Sequence, residues 1–172
     1  IDYFYKALAL DNESAEIMTE LAILYSKLCQ YDRAISFYEQ IISLNPENFS
    51  VQLQYAMLLK TIKEYKHSEE ILLNLYDKEY ELEKVSVELF HLLFINNNFE
   101  KIVLYYNKCS NKLNNSIIFY YVASAYSQMG RKDIAEEFYK KSFKTDEKNI
   151  LSGVNVAKFL YNKTHRSPMV LP

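Results

Sequence analysis

The sequence predicts an all-α solenoid built from antiparallel helix pairs, and three observations support that prediction. The 172 residues include only two glycines and three prolines, whereas sheets with tight turns use glycine heavily. Apolar residues recur at the three- and four-residue spacing of amphipathic helices along most of the chain. Related segments also return at a nearly constant interval, which is the sequence signature of a repeat architecture.

The repeat is clearest in the segments around Ala22, Ala56 and Phe90, which follow one another at steps of 34 residues. The segment around Ala123 comes one residue early, and the segment around Ala157 follows 34 residues later. A second recurring segment follows each of the first four, at residues 31–38, 65–72, 99–106 and 132–139. Each unit therefore has two halves, and each half has the length of a short helix.

These segments resemble the tetratricopeptide repeat, whose signature places Leu-Gly-x2-Tyr, Ala-x3-Phe and Pro in a unit of 34 residues. Residues 21–46 carry the best copy, which ends at Pro46, and the resemblance covers nearly all of residues 1–161. It implies that the helix pairs stack into a right-handed superhelix, because no unit can bury its apolar face alone. The spacing disfavours pentatricopeptide and Sel1-type repeats, whose periods are longer.

The repeat boundaries set the expected order of elements. Tyr3, Ala7 and Leu10 indicate that residues 1–14 are helix B of a truncated preceding unit. Four units are then expected at residues 15–48, 49–82, 83–115 and 116–149, of which the third is divergent. Residues 150–163 are expected to form a C-terminal capping helix with a polar outer side. Residues 164–172 are expected to form an irregular tail, because Pro168 and Pro172 cannot continue a helix.

The first full unit predicts helix A over residues 15–28 and helix B over residues 31–44. Ala22 and Ala34 are expected to let the two helix backbones come close together. Helix B should stop before Pro46, because the residue before a proline avoids the helical region. In the fourth unit Gly130 should end helix A, since glycine adopts the left-handed conformation at little cost.

The third unit departs from this pattern, because Phe90 and Ile102 replace the two small residues. Large side chains there should push the two helices apart or rotate them. Either neighbouring residues compensate for the change, or the curvature of the superhelix changes locally. The linker at residues 77–84 lacks proline, so helix B of the second unit is expected to run on. The Asn run at residues 96–98 suits a turn.

Composition and charge exclude several functions. A net charge of −2 gives no drive toward nucleic acid, which strongly basic domains bind. Cys29 and Cys109 are expected to be small buried core residues of a protein in the cytoplasm or another reducing compartment. No apolar run reaches the roughly 18 residues of a membrane span. The first residue is Ile1 rather than Met, which indicates a fragment of a longer protein.

We expect no enzymatic activity, because the chain lacks a nucleotide-binding turn and a metal-binding helix motif. The three histidines, His67, His91 and His165, are scattered along the sequence. No serine or cysteine is accompanied by a general base at a sequence spacing that identifies a catalytic pair. The chain is therefore expected to use no cofactor and no metal.

In proteins of the family that this sequence resembles, helix A lines a concave groove that binds peptides or partner helices. That geometry implies an acidic entrance at Glu16 and Glu20 and a largely apolar floor, to which Ile23 also belongs. The predicted groove residues are Leu53, Gln54, Met57, Val87, His91, Tyr120 and Tyr121. The alternative is that several of these side chains are core residues between helices, since aromatic stripes at helical spacing usually pack internally.

One subclass of the family grips the C-terminal carboxylate of heat-shock chaperones with a Lys, Asn, Asn, Lys and Arg set. The matching positions here hold Thr19, Ile23, Gln54, Lys84 and Glu88, and only Lys84 fits. Because the cations that bind a carboxylate are missing, we expect no chaperone-tail binding.

The sequence therefore predicts a protein–protein interaction scaffold that binds a peptide or helical segment of a partner protein. Two alternatives remain open. In the first, the array serves structural self-association. In the second, it is a regulatory or targeting domain of a protein whose catalytic part lies elsewhere. A tail segment, Met169-Val170-Leu171, is a further candidate for docking on a groove.

Overall fold

The computed structural model describes residues 2–11, 14–147 and 150–164. Within these ranges the chain forms ten α-helices and no β-strand, so the all-α prediction is confirmed. The helices are α1 (Asp2–Leu8), α2 (Ala15–Lys27), α3 (Tyr31–Leu44), α4 (Phe49–Thr61), α5 (Tyr65–Asp77), α6 (Leu82–Ile95), α7 (Phe99–Cys109), α8 (Ser116–Gln128), α9 (Lys132–Thr145) and α10 (Ile150–Thr164). They fall into two compact units, Ile1–Tyr80 and Glu81–Pro172, called here the N-terminal and C-terminal units.

Asparagine side chains begin two of the helices that open a repeat. Asn48 Oδ1 accepts a hydrogen bond of 3.2 Å from the backbone N–H of Val51 at the start of α4. Asn115 Oδ1 accepts bonds from the N–H groups of Ile117, at 2.9 Å, and Ile118. Each bond satisfies an amide that has no partner within the helix. These caps fix where α4 and α8 begin.

Each first helix of a pair ends in the same backbone turn. Cys29, Lys63, Asn97 and Gly130 have φ of 57°, 69°, 56° and 78°, in the left-handed region. In the first turn the N–H of Gln30 donates to Tyr25 O at 2.9 Å, and the N–H of Cys29 donates to Ser26 O at 3.1 Å. This pair of bonds defines a Schellman motif, and it recurs in the other three turns. The turn predicted at the Asn run and the role predicted for Gly130 are confirmed.

The same motif ends α5, and there the prediction from the sequence was wrong. The linker lacks proline, yet α5 stops at Asp77 instead of running on. Glu79 has a φ of 54°, and the N–H of Tyr80 donates to Leu75 O at 3.1 Å. The hydrogen bonds of a Schellman motif satisfy the last carbonyls of the helix, so proline is not needed to end it.

We expect Lys63→Gly to raise the free energy of unfolding by about 0.5–1 kcal/mol, because a side chain is strained at positive φ. Lys66→Gly is the matched control, since it makes the same change at an exposed position inside α5. Glycine there should lower stability by about 1 kcal/mol. Urea denaturation followed by circular dichroism measures both changes. Two changes of the same sign would contradict the explanation.

Small residues lie where paired helices approach most closely. Ala22 and Ala34 are fully buried between α2 and α3, as predicted. In the next pair Ser68 Oγ donates to the backbone carbonyl of Ala56 at 2.8 Å, a bond that requires close helix backbones. Phe90 and Ile102 are also fully buried, and α6 and α7 approach each other less closely than the other three pairs do. This agrees with the prediction that the two large side chains push the helices apart or rotate them.

The prediction that both cysteines are buried was wrong. Cys29 is exposed in its turn and Cys109 is only half-buried, so neither is a core thiol. Tyr3 is 85% exposed and Leu10 is 92% exposed, whereas Phe4 and Leu8 pack against the core of the N-terminal unit. The side of α1 that packs against the core is therefore the one that carries Phe4 and Leu8.

The closing helix α10 exposes Lys158 and Asn162, as predicted for an outer face, but also Ile150 at 78% and Tyr161 at 62%. Its outer side is therefore more apolar than the prediction required. The predicted tail, including the segment Met169-Val170-Leu171, lies outside the described residues apart from Thr164.

Candidate functional site

The seven predicted groove residues lie on three helices in two units. Leu53, Gln54 and Met57 belong to α4 of the N-terminal unit. Val87 and His91 belong to α6, and the two adjacent tyrosines, at positions 120 and 121, belong to α8; both helices lie in the C-terminal unit. We therefore describe the two groups of residues separately.

An apolar cleft of about 350 Å³ opens on the N-terminal unit between α2, α3 and α4. Its lining comprises Ile23, Ser26, Lys27, Tyr31, Tyr38, Gln54, Met57, Leu58 and Thr61. Met57 is 39% exposed, which makes it the most accessible of the predicted residues on α4. The side chains that form this cleft come from both helices of the first repeat and from the first helix of the second.

A second opening of about 550 Å³, called here the acidic cleft, lies beside the first. Its lining comprises Phe4, Ala15, Glu16, Ile17, Thr19, Glu20, Asn48, Ser50, Val51 and Gln54. The predicted acidic residues Glu16 and Glu20 thus face the same opening, and both are exposed. Gln54 lines both clefts.

Two adjacent residues of α4 have opposite environments. Leu53 is only 2% exposed and belongs to the core, so its side chain offers almost no surface to a ligand. Gln54 is half-buried, and its Oε1 atom is buried with no hydrogen-bond partner among the described residues. A buried amide oxygen without a donor costs free energy, which a ligand N–H would recover.

The predicted site did not include Tyr38, which lies on the second helix of its repeat. Its ring stacks on Tyr55 with centroids 5.7 Å apart, and Tyr55 donates a hydrogen bond of 2.9 Å to Glu39. Burial, followed by the bond to the Glu39 carboxylate and its charge, raises the pKa of Tyr55. The spacing of Tyr31 and Tyr38, seven residues apart on one helix face, is the signal that could have identified this wall of the cleft.

In the C-terminal unit the predicted residues form a cluster of rings. His91 stacks on Tyr121 with centroids 5.8 Å apart and planes within 17°. Tyr121 also lies 6.0 Å from Phe94 and 5.6 Å from Tyr120. Tyr120 in turn contacts Tyr139 at 6.0 Å.

The members of this cluster are half-buried rather than open to solvent. His91, Tyr120, Tyr121 and the nearby Val87 each show part of their surface. Burial raises the pKa of Tyr121 to about 12, and the charges of Tyr120 and Glu88 add to the effect. His91 and Tyr121 thus help to pack α6 against α8, and Tyr120 packs against α9, which is the alternative that the sequence left open.

We expect stability to fall between pH 10 and pH 12, partly because of Tyr121. A tyrosine in the unfolded chain has a pKa near 10. The folded state, in which this pKa is about 12, holds the proton more tightly. The stabilisation is therefore complete below pH 10 and is lost as the pH rises toward 12. Urea denaturation at several pH values should show a shallower decline for Tyr121→Phe.

Tyr3→Phe is the control for this experiment, because the ring of Tyr3 is 85% exposed. It should leave the decline of stability with pH as it is in the wild-type protein. An unchanged decline in Tyr121→Phe would mean that the buried phenol does not contribute.

Both described histidines are packed against tyrosine rings. His67 meets Tyr55 edge-on at 5.5 Å, and His91 stacks on Tyr121. Across the described residues, no group of three or more His, Cys, Asp or Glu side chains is placed to hold a metal ion. None of the helices in the described ranges is long and apolar enough to cross a membrane.

Sequence and structure comparisons address the class of protein. The family described as tetratricopeptide repeat matches residues 15–48 and again residues 118–149. A sequence comparison with curated proteins finds no match.

Solved structures share the fold along most of the chain. YrrB, described as a TPR protein with an unusual peptide-binding site, is 16% identical with a TM-score of 0.73, over 95% of this chain and 85% of YrrB. PilF of Pseudomonas aeruginosa is 20% identical with a TM-score of 0.76, over 94% of this chain and 75% of PilF. MamA is 18% identical with a TM-score of 0.74, over 86% of each chain. At these identities the likeness establishes the fold alone.

Antiparallel helix pairs that recur along the chain, with the same turn between the two helices of each pair, define the class of all-α helical-repeat proteins. Within that class, residues 15–48 and 118–149 match the tetratricopeptide repeat, and the solved structures that share the fold include a TPR protein.

Proposed function

We propose that this chain is a protein–protein interaction module that binds a segment of a partner along the two clefts of the N-terminal unit. The observation that carries the proposal is the meeting of an apolar cleft and an acidic cleft at Gln54. Apolar anchors beside polar groups are what an extended or helical segment needs for affinity and orientation. Neither catalysis nor binding of a chaperone C-terminal carboxylate is part of this function.

The C-terminal unit adds a second contact surface in this proposal. His91, Tyr120 and Tyr121 form a cluster of half-buried rings, and Val87 on α6 is half-buried as well. Aromatic residues are enriched among the side chains that dominate binding energy at interfaces. Their role here is that of a second, separate contact surface, while the clefts of the N-terminal unit provide the principal site.

Met57→Glu tests the proposal, because it places a charge in the apolar cleft at a residue that is 39% exposed. Leu44→Glu is the matched control, since Leu44 is 49% exposed in the same unit and lines neither cleft. Partners captured from a lysate of the source cell should be retained by the control and lost by Met57→Glu. Equal retention by both variants, with helicity unchanged, would overturn the proposal.

Self-association is the second candidate function, and exposed apolar side chains at both end helices favour it. Tyr3 and Leu10 are exposed near α1, as are Ile150 and Tyr161 on α10. Light scattering of the wild-type protein and of a Tyr3→Ser/Leu10→Ser variant separates the two functions. Self-association would be favoured if the wild-type protein is a dimer, the variant is a monomer, and no captured partner depends on the clefts.

A further inference from the structure

We infer that the segment bound by the N-terminal unit is extended and carries a cationic and a bulky apolar side chain two residues apart. This inference rests on the proposed function, because it names the chemistry of the partner that the two clefts recognise. Three features support it: the charges of the acidic cleft, the distance between the clefts, and the unsatisfied amide of Gln54.

The charge of the partner follows from Glu16 and Glu20. These carboxylates lie one helical turn apart on α2, and both face the acidic cleft. Like charges at this spacing destabilise a helix by a few tenths of a kcal/mol. Within residues 14–147, neither carboxylate forms an ion pair with a lysine or arginine. A cationic side chain from a partner would relieve the repulsion and complement the charge of this cleft.

The spacing follows from the geometry of α2. The midpoint between Glu16 and Glu20 precedes Ile23 by five residues, or about 7.5 Å along a helix that rises about 1.5 Å per residue. An extended chain advances about 3.3 Å per residue, so two residues span about 6.6 Å. Alternate side chains of an extended chain also point to the same side. A cation and an apolar side chain at positions i and i+2 therefore reach the two clefts together.

Gln54 supplies a contact for the residue between them. It lines both clefts, and its buried Oε1 has no donor among the described residues. Rotation of the Gln54 amide toward the clefts would let this oxygen accept a hydrogen bond from the backbone N–H of the intervening residue of an extended segment. That bond depends on the peptide backbone and not on the identity of the side chain, so the intervening position is expected to be unrestricted.

Three fluorescein-labelled peptides test the inference by anisotropy: Ser-Leu-Ser-Arg-Ser-Leu-Ser, the same peptide with Glu in place of Arg, and the same peptide with both Leu replaced by Ser. The first peptide has the same sequence from either end, so the direction in which the peptide chain binds does not affect the result. We expect it to bind at least tenfold more tightly than either of the others. The preference for Arg over Glu should shrink in high salt, which screens exposed charges.

Two double variants of the protein test which residues cause the preference for Arg over Glu. Glu16→Gln/Glu20→Gln should abolish the preference for Arg over Glu while leaving the preference for Leu over Ser. Glu47→Gln/Glu70→Gln removes the same charge from exposed residues of this unit that line neither cleft, and it should behave as the wild-type protein.

The outcomes separate this inference from the proposed function. Equal binding of the Arg and Glu peptides would overturn the inference and leave the proposed function standing. The same loss of preference in both double variants would also overturn it, because the effect would then reflect net charge. Binding of none of the peptides to a monomeric protein would count against the clefts as a peptide site and against the inference with them.

Discussion

Phe90→Ala is expected to lower the free energy of unfolding by about 3–5 kcal/mol, the range measured when a buried aromatic ring is truncated. Phe90 is fully buried on α6, at the repeat position that alanine occupies in the other three units. The repeat position places Phe90 toward α7, and α6 and α7 approach each other less closely than the other pairs do. Alanine cannot fill the space of the phenyl ring, and close packing of the neighbours limits how far the helices can collapse. Chemical denaturation followed by circular dichroism measures the change.

Phe90→Leu is the control, because it keeps an apolar side chain of intermediate size and should cost clearly less. A second variant, Ile102→Ala, tests the partner residue on α7, which is also fully buried. Their repeat positions are the two close-contact positions of one helix pair, so we expect the two costs not to add in the double variant. A loss below about 1 kcal/mol for Phe90→Ala would show that α6 and α7 can close together freely.

The sequence predicted the helices well because their signals are local and repeated. Helix α3 was expected at residues 31–44 and is found at Tyr31–Leu44, since the proline after it and the spacing of its apolar residues both mark its length. Position 130 was recognised because glycine itself signals positive φ. The equivalent turn residues Cys29 and Lys63 give no such signal, and only the repeat alignment reveals them.

The site was harder to predict because it depends on how each helix is rotated about its axis. Successive residues of a helix point about 100° apart, so a small rotation exchanges core and surface. Leu53 and Gln54 were both assigned to the groove, yet only Gln54 lines the clefts while Leu53 is buried. Tyr38 was missed because it belongs to the second helix of its pair, which the family geometry does not place in the groove. Tertiary packing decides both cases.

Ala123→Phe is expected to lower the free energy of unfolding by about 3 kcal/mol, at the upper end of the usual cost of overpacking. Ala123 and Ala135 are fully buried between α8 and α9, which form the most closely approaching helix pair. A phenyl ring has no room there unless α9 moves away. That movement would also break the buried hydrogen bond of 3.1 Å between Ser124 Oγ and the Tyr139 hydroxyl.

The comparison with α6 makes the physical reason explicit. Phenylalanine at the same repeat position is compatible with the fold in the third unit, where the partner helix stands further away. The cost at position 123 therefore arises from the spacing of this helix pair, and not from an incompatibility of phenylalanine with the repeat. Gln128→Phe makes a similar addition at the exposed end of α8 and should change stability by less than about 0.5 kcal/mol. If Ala123→Phe proved equally harmless, the side chains at the two small positions would not set the distance between paired helices.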